Sequence, residues 1–72
     1  MIKMNLIKQL LEENKVSNKK PSSQRELESI CGVPQPEISR IANGRKVRIE
    51  LETAVKLARG LGKPVEYVFP DY

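Results

Sequence analysis

Residues 23–44 read SQRELESICGVPQPEISRIANG, two short helices joined by one tight turn and closed by a second. Ser23 followed three residues later by Glu26 is a capping box, in which hydroxyl and carboxylate each satisfy a backbone N–H that a helix start leaves without a partner. Leu27, Ile30 and Cys31 then fall at i, i+3 and i+4, one apolar face, and Gly32 stands where a helix C-terminus takes a residue able to adopt positive φ. The first helix therefore ends near Cys31. Past Val33, Pro34 presets a helical φ beside the next N-terminus, Ile38 and Ile41 supply the second buried stripe, and Asn43-Gly44 ends it. Two helices of about two turns each cannot fold alone, so the remaining sequence is expected to be their scaffold.

That scaffold is short. With 72 residues the chain reads as one domain, 1–72, with no room for a separate ligand-sensing or catalytic unit. A domain this size buries only about 60% of its unfolded surface, which predicts modest stability. Ile2, Leu6, Ile7, Leu10 and Leu11 recur at helical spacing and predict an amphipathic first helix over residues 2–14, packed on the helix-turn-helix. Residues 15–22, KVSNKKPS, form a polar loop. After RKVRIE, a basic connection, Leu51, Ala54, Val55, Ala58 and Leu61 mark a fourth helix over 51–61 closed by Gly62. Pro64 opens a last short helix through about Phe69, with Val65, Val68 and Phe69 apolar and Pro70 preventing continuation. The expected architecture is all-α, with five helices and neither repeat nor linker.

Charge is distributed unevenly along this plan. The formal net charge of +4 comes from residues 14–48, which carry eight basic and three acidic side chains, whereas residues 1–13 are neutral and residues 49–72 are slightly acidic. Scattered lysines usually do no more than solvate a surface. Arg40, Arg45, Lys46 and Arg48 are not scattered, because no acid lies between Glu37 and Glu50. Catalysis finds little to work with: there is no histidine, no cysteine pair at metal-ligand spacing and no serine with a base partner, so neither an enzyme nor a metal or other cofactor is expected. The single Cys31 reads as a small buried hydrophobe. The first fourteen residues lack the apolar run of a signal peptide, and Glu12 and Glu13 cancel the lysines that a membrane-surface helix would need. A cytoplasmic location is expected.

The central stretch resembles the helix-turn-helix of Cro/CI-type (XRE-like) repressors of phages and bacteria. Gln24 opens the first helix, Leu27, Cys31 and Val33 fall at core positions and Gly32 at the turn, Gln35 opens the recognition helix, Ile38 and Ile41 hold it, and Asn43-Gly44 follows, all in register. The resemblance implies a compact five-helix, lambda-repressor-like DNA-binding domain. Three departures stand out. Glu28 occupies a place usually taken by Ala, where helices approach closely, so its carboxylate must reach solvent or the helices must splay; Pro34 replaces a Ser or Thr cap; and an Arg–Glu pair common in the family is replaced on both sides, by Leu11 and Ala42. Such a double exchange is often neutral or stabilising, since no buried charge is left alone. The loop at 15–22 is also about six residues longer than the family's usual connection.

A recognition helix laid N-terminus first in the major groove presents its first two positions and those one and two turns on, here Gln35, Pro36, Ser39, Arg40 and Asn43. Gln35 suits an adenine edge, Arg40 suits guanine N7 and O6, and Pro36 offers apolar contact to a thymine methyl. Gln24 is similar to the family's phosphate-contacting glutamine and is placed to brace Gln35. Arg45, Lys46 and Arg48, with the N–H of Asn43 or Gly44, are the expected phosphate contacts; Lys19 and Lys20 are as well explained by solvation. The expected partner is a double-stranded, pseudo-palindromic DNA operator bound by a homodimer. Its contact is assigned to the apolar C-terminal end, Val65, Tyr67, Val68, Phe69 and Tyr72, which resembles the part of the family fold where DNA-bound dimers meet; capping of the chain's own core explains Val65 and Phe69 equally well, and Tyr67 and Tyr72 are the better candidates for exposure. Two other classes stay open: a helix-turn-helix adaptor for a protein partner, such as an antitoxin or antirepressor, and an RNA-binding helical domain. The basic cluster argues against the first, and the lack of aromatics in residues 24–48 argues against single-stranded RNA.

Overall fold

Among the described residues, the approach to the first helix is set by a polar side chain. In the computed structural model, which describes residues 5–46 and 48–70, Asn5 turns its side-chain oxygen toward the Ile7 N–H (3.2 Å) and donates through Nδ2 to the Ile41 carbonyl (2.8 Å). The first helix, α1, therefore runs over Ile7–Val16 instead of 2–14, with Ile2 of the expected stripe outside the described residues. The Leu6 N–H donates to the Val68 carbonyl at 3.0 Å. Asn5 and Leu6 thus tie the approach to α1 to Ile41 and to Val68.

Much of the expected loop is helix and helix cap. α1 continues through Val16, Asn18 takes a left-handed conformation (φ 57°), and the Lys19 N–H closes back on the Asn14 carbonyl (2.7 Å). Asn14 in turn donates to the carbonyl of Pro21, whose ring is fully buried. The long connection is thereby anchored at a residue that composition alone places in solvent. The next helix, α2, spans Gln24–Cys31, with the Ser23 hydroxyl accepting from the Glu26 N–H (3.2 Å) as the capping box requires. The other half of the box is shifted by one residue: the Glu26 carboxylate accepts from the N–H (2.7 Å) and hydroxyl (2.8 Å) of Ser22. Those two bonds hold the Glu26 carboxyl below its ordinary value of 4.5, the backbone N–H contributing most and the Lys20 charge least.

Gly32, at φ 81°, ends α2, and α3 follows over Gln35–Ala42, α4 over Leu51–Leu61 and α5 over Val65–Val68. α2 packs on α3 and on α4, and α4 also meets α1 and α5. One core lies between them: Ile7, Leu10 and Leu11 of α1, Leu27 of α2, Val33 of the turn, Ile38 and Ile41 of α3, Ala54, Leu57, Ala58 and Leu61 of α4, and Val68 with Phe69 at the end. Leu11 is buried and Ala42 packs against the same cluster, so the exchanged pair sits in apolar surroundings. Glu28 remains half-buried.

Four positions depart from the apolar periodicity. Ile30 and Leu51 are 54% and 60% exposed, and Cys31 is only half-buried, while Leu57, absent from the expected stripe of α4, is fully buried. α4 meets α2 closely at Gly60. A Cβ built there would lie 2.9 Å from Leu27 Cδ1 and 3.1 Å from Cys31 Cβ, so the missing side chain is what lets α4 approach α2 this closely. A methyl at Gly60 would displace a fully buried leucine, and the expected strain exceeds the small helix-propensity gain of alanine over glycine.

Candidate nucleic-acid interface

α3 has two unlike faces because its two fully buried residues lie one turn apart. Ile38 and Ile41 are fully buried, and the arc opposite them holds Gln35, Pro36, Arg40 and Asn43, all exposed, with half-buried Ser39 at its edge. The five residues assigned to base contact therefore lie side by side on one surface. Asn43 Nδ2 donates to Ser39 Oγ at 3.2 Å, so these two already form a pair across one turn.

The N-terminus of α3 is closed without a side-chain cap. Pro34 is extended (φ −57°, ψ 141°), and its carbonyl accepts from both Glu37 and Ile38 at 3.0 Å. Pro36, at the second helical position, has no N–H to satisfy. Proline at these two places thus removes the need for the Ser or Thr expected from the family pattern.

The C-terminus is built just as firmly. The Gly44 N–H donates to the Ile41 carbonyl (3.1 Å), and the Arg45 and Lys46 N–H groups both donate to the Arg40 carbonyl (2.9 and 3.3 Å), with Gly44 at φ 73°. This is the paired-bond helix stop for which a left-handed residue is needed. Asn43 N–H likewise donates to the Ser39 carbonyl at 2.9 Å. The backbone donors assigned to phosphate at Asn43 and Gly44 are engaged within the turn. Asn5, which holds the Ile41 carbonyl, braces the same turn from outside. Its role was not legible in the sequence beyond its suitability for a helix start.

Basic side chains leave this turn in different states. Arg45 and Arg48 are exposed and, like Arg40, make no ion pair among the described residues. Lys46 differs: its Nζ is bonded to Oε2 of Glu37, in the first turn of α3. Gln24 is half-buried at the start of α2, and no hydrogen bond joins it to Gln35 among the described residues. Lys19 and Lys20 are exposed on the anchored connection.

The described C-terminal residues assigned to the dimer contact are divided between core and surface. Val68 and Phe69 are fully buried in the chain's own core, because α5 folds back beneath α4 and its last residues close the cluster. Neither has a face left for a second chain. Val65 is half-buried against the core, Tyr67 is 47% exposed with the Lys63 ammonium 5.3 Å from its ring centroid, and Tyr72 lies outside the described residues. Among the described residues no helix is long and apolar enough to cross a membrane.

Comparison with known proteins places the chain. The family model described as helix-turn-helix matches residues 22–68, which spans everything from the Ser22–Glu26 cap to the buried end of α5. Neither the search of curated proteins nor that of solved structures found a match. With well over half of its length covered, the chain belongs to the Cro/CI-type (XRE-like) helix-turn-helix family of DNA-binding regulators.

Proposed function

We propose that this chain is a sequence-specific transcriptional regulator that acts as a repressor in the cytoplasm, placing α3 in the major groove of a pseudo-palindromic operator as a homodimer. The observation that carries the reading is the arc of Gln35, Pro36, Ser39, Arg40 and Asn43 on the face of α3 opposite Ile38 and Ile41, flanked by the exposed Arg45 and Arg48. Gln35 and Arg40 read base edges in bidentate fashion, while Gln24, Arg45 and Arg48 hold phosphates and set register. Gly44 contributes by letting the backbone come close. A single domain of this kind buries about 600 to 1,000 Å² on DNA, too little for tight specific binding, and pairing two chains supplies the remainder. Tyr67 and the open side of Val65 are the residues of the C-terminal end available to that contact.

Selection of bound sites from random duplex DNA tests the reading. The expected outcome is a pseudo-palindrome with half-sites centred about 10 to 10.5 base pairs apart, bound by two chains. With about six to ten phosphate contacts per dimer, affinity falls roughly a thousandfold or more between 50 and 200 mM salt. A flat salt response with no enriched sequence would overturn the reading in favour of an adaptor for a protein partner.

A further inference from the structure

The recognition helix carries one acid, and it faces the basic turn. Glu37 is the third residue of α3, and its carboxylate holds the ammonium of Lys46, with both side chains partly shielded from solvent. Geometry makes this pairing a property of the turn rather than a chance surface contact. The Lys46 N–H is bound to the Arg40 carbonyl, so its backbone lies against the end of α3 and its side chain runs back along the helix to the first turn. Arg40, Arg45 and Arg48 have no comparable partner among the described residues.

We propose that Glu37 governs the affinity of this domain for DNA by competing with phosphate for Lys46. The proposal rests on the DNA-binding reading. A carboxylate and a phosphate oxygen compete for the same ammonium, and contact with the DNA backbone either displaces Glu37 or brings its carboxylate up against the phosphate. Displacement leaves Glu37 unpaired beside a polyanion, which is unfavourable. Lys46 is therefore a latent contact, engaged weakly or not at all in the wild-type complex, whereas Arg45 and Arg48 are unencumbered. Because the competition concerns the DNA backbone and not the bases, it acts on every duplex sequence alike.

The test compares wild type, Glu37→Gln, Lys46→Gln and the double variant on random-sequence duplex DNA across a salt series, with unfolding midpoints measured in parallel. Glu37→Gln is expected to tighten binding about two- to fivefold per chain at moderate salt, the scale of an exposed ion pair, and to steepen the salt slope by up to about 0.9 per chain. Lys46→Gln alone is expected to change little. In the double variant the gain disappears, which separates release of Lys46 from mere loss of a negative charge. Unchanged or weaker binding by a folded Glu37→Gln chain overturns the proposal, as does a gain that survives Lys46→Gln. Should the wild type bind no duplex at all, the DNA-binding reading falls and this inference with it; should it bind with strong salt dependence while Glu37→Gln behaves identically, only the inference falls.

Discussion

α3 and α5 start alike and end differently. Each follows an extended proline, Pro34 at ψ 141° and Pro64 at ψ 154°, and neither first turn has a side-chain cap. In both, the proline carbonyl accepts from the residues three and four positions on, Glu37 and Ile38 in one case, Tyr67 and Val68 in the other. Length then separates them. α3 has eight residues, enough to bury Ile38 and Ile41 on one side and keep a polar arc on the other; α5 has four, and the chain leaves it directly into Phe69, so its end is consumed by the core. A single turn has no second face to offer. An apolar helix end is therefore weak ground for a docking surface until the chain's own core has been filled.

The sharpest way to break this contrast is at Phe69. Phe69→Ala should destabilise the fold by about 3 to 5 kcal/mol, as for other fully buried aromatics, while Tyr67→Ala two residues away should stay within about 0.5 kcal/mol. Chemical denaturation of both variants decides it. Equal losses would mean that α5 does not divide its residues between core and surface in the way described.

On α3 the contrast predicts the opposite behaviour. Arg40→Ala removes an exposed side chain and should leave the unfolding midpoint unchanged, yet cost about 1 to 3 kcal/mol of binding to a selected site and relax preference at one base pair of each half-site. If cognate and random DNA weakened equally in titrations, Arg40 would be a phosphate contact and the arc would have to be turned about the helix axis.

A smaller effect tests the cap that positions α2 under α3. The Glu26 carboxyl is held below its ordinary value by the Ser22 N–H first and the Ser22 hydroxyl second. A depressed folded-state value means that its contribution to stability is complete above the unfolded-state value of about 4.5 and is lost as pH falls through the lower folded value. Carboxyl titration by NMR should give a midpoint below 4.5 that rises part of the way back in Ser22→Ala, since that variant keeps the backbone N–H. A midpoint unmoved by Ser22→Ala would show that the hydroxyl bond is absent in solution.

Much of the architecture was readable from local signals. The spans of α2, α3 and α4 follow from Ser23, Gly32, Pro34, Asn43-Gly44 and Gly62, because caps and left-handed stops act within a few residues and so are written within a few residues. The arc on α3 was equally readable, since two isoleucines one turn apart fix which side faces inward. What periodicity misjudged lies at helix edges and at long-range contacts. Ile30 sits on the apolar side of α2 by spacing, but the short α2 and the close approach at Gly60 leave it at the rim. Leu57 is buried because α4 has neighbours on more than one side, α1, α2 and α5, which widens its apolar face beyond the stripe that a single partner would require.

By itself the sequence determined where α2, α3 and α4 run and stop, and which side of α3 faces inward, because these depend on interactions between residues at most a turn or two apart. Tertiary structure alone decided that Asn5 braces the end of α3 across thirty-six residues, that the Glu26 carboxylate serves Ser22, that Val68 and Phe69 belong to the core, and that Lys46 is held by Glu37. A side chain's hydrogen-bonding or ionic partner is chosen by proximity in space, and a chain with more donors, charges and apolar ends than positions for them leaves that choice to packing.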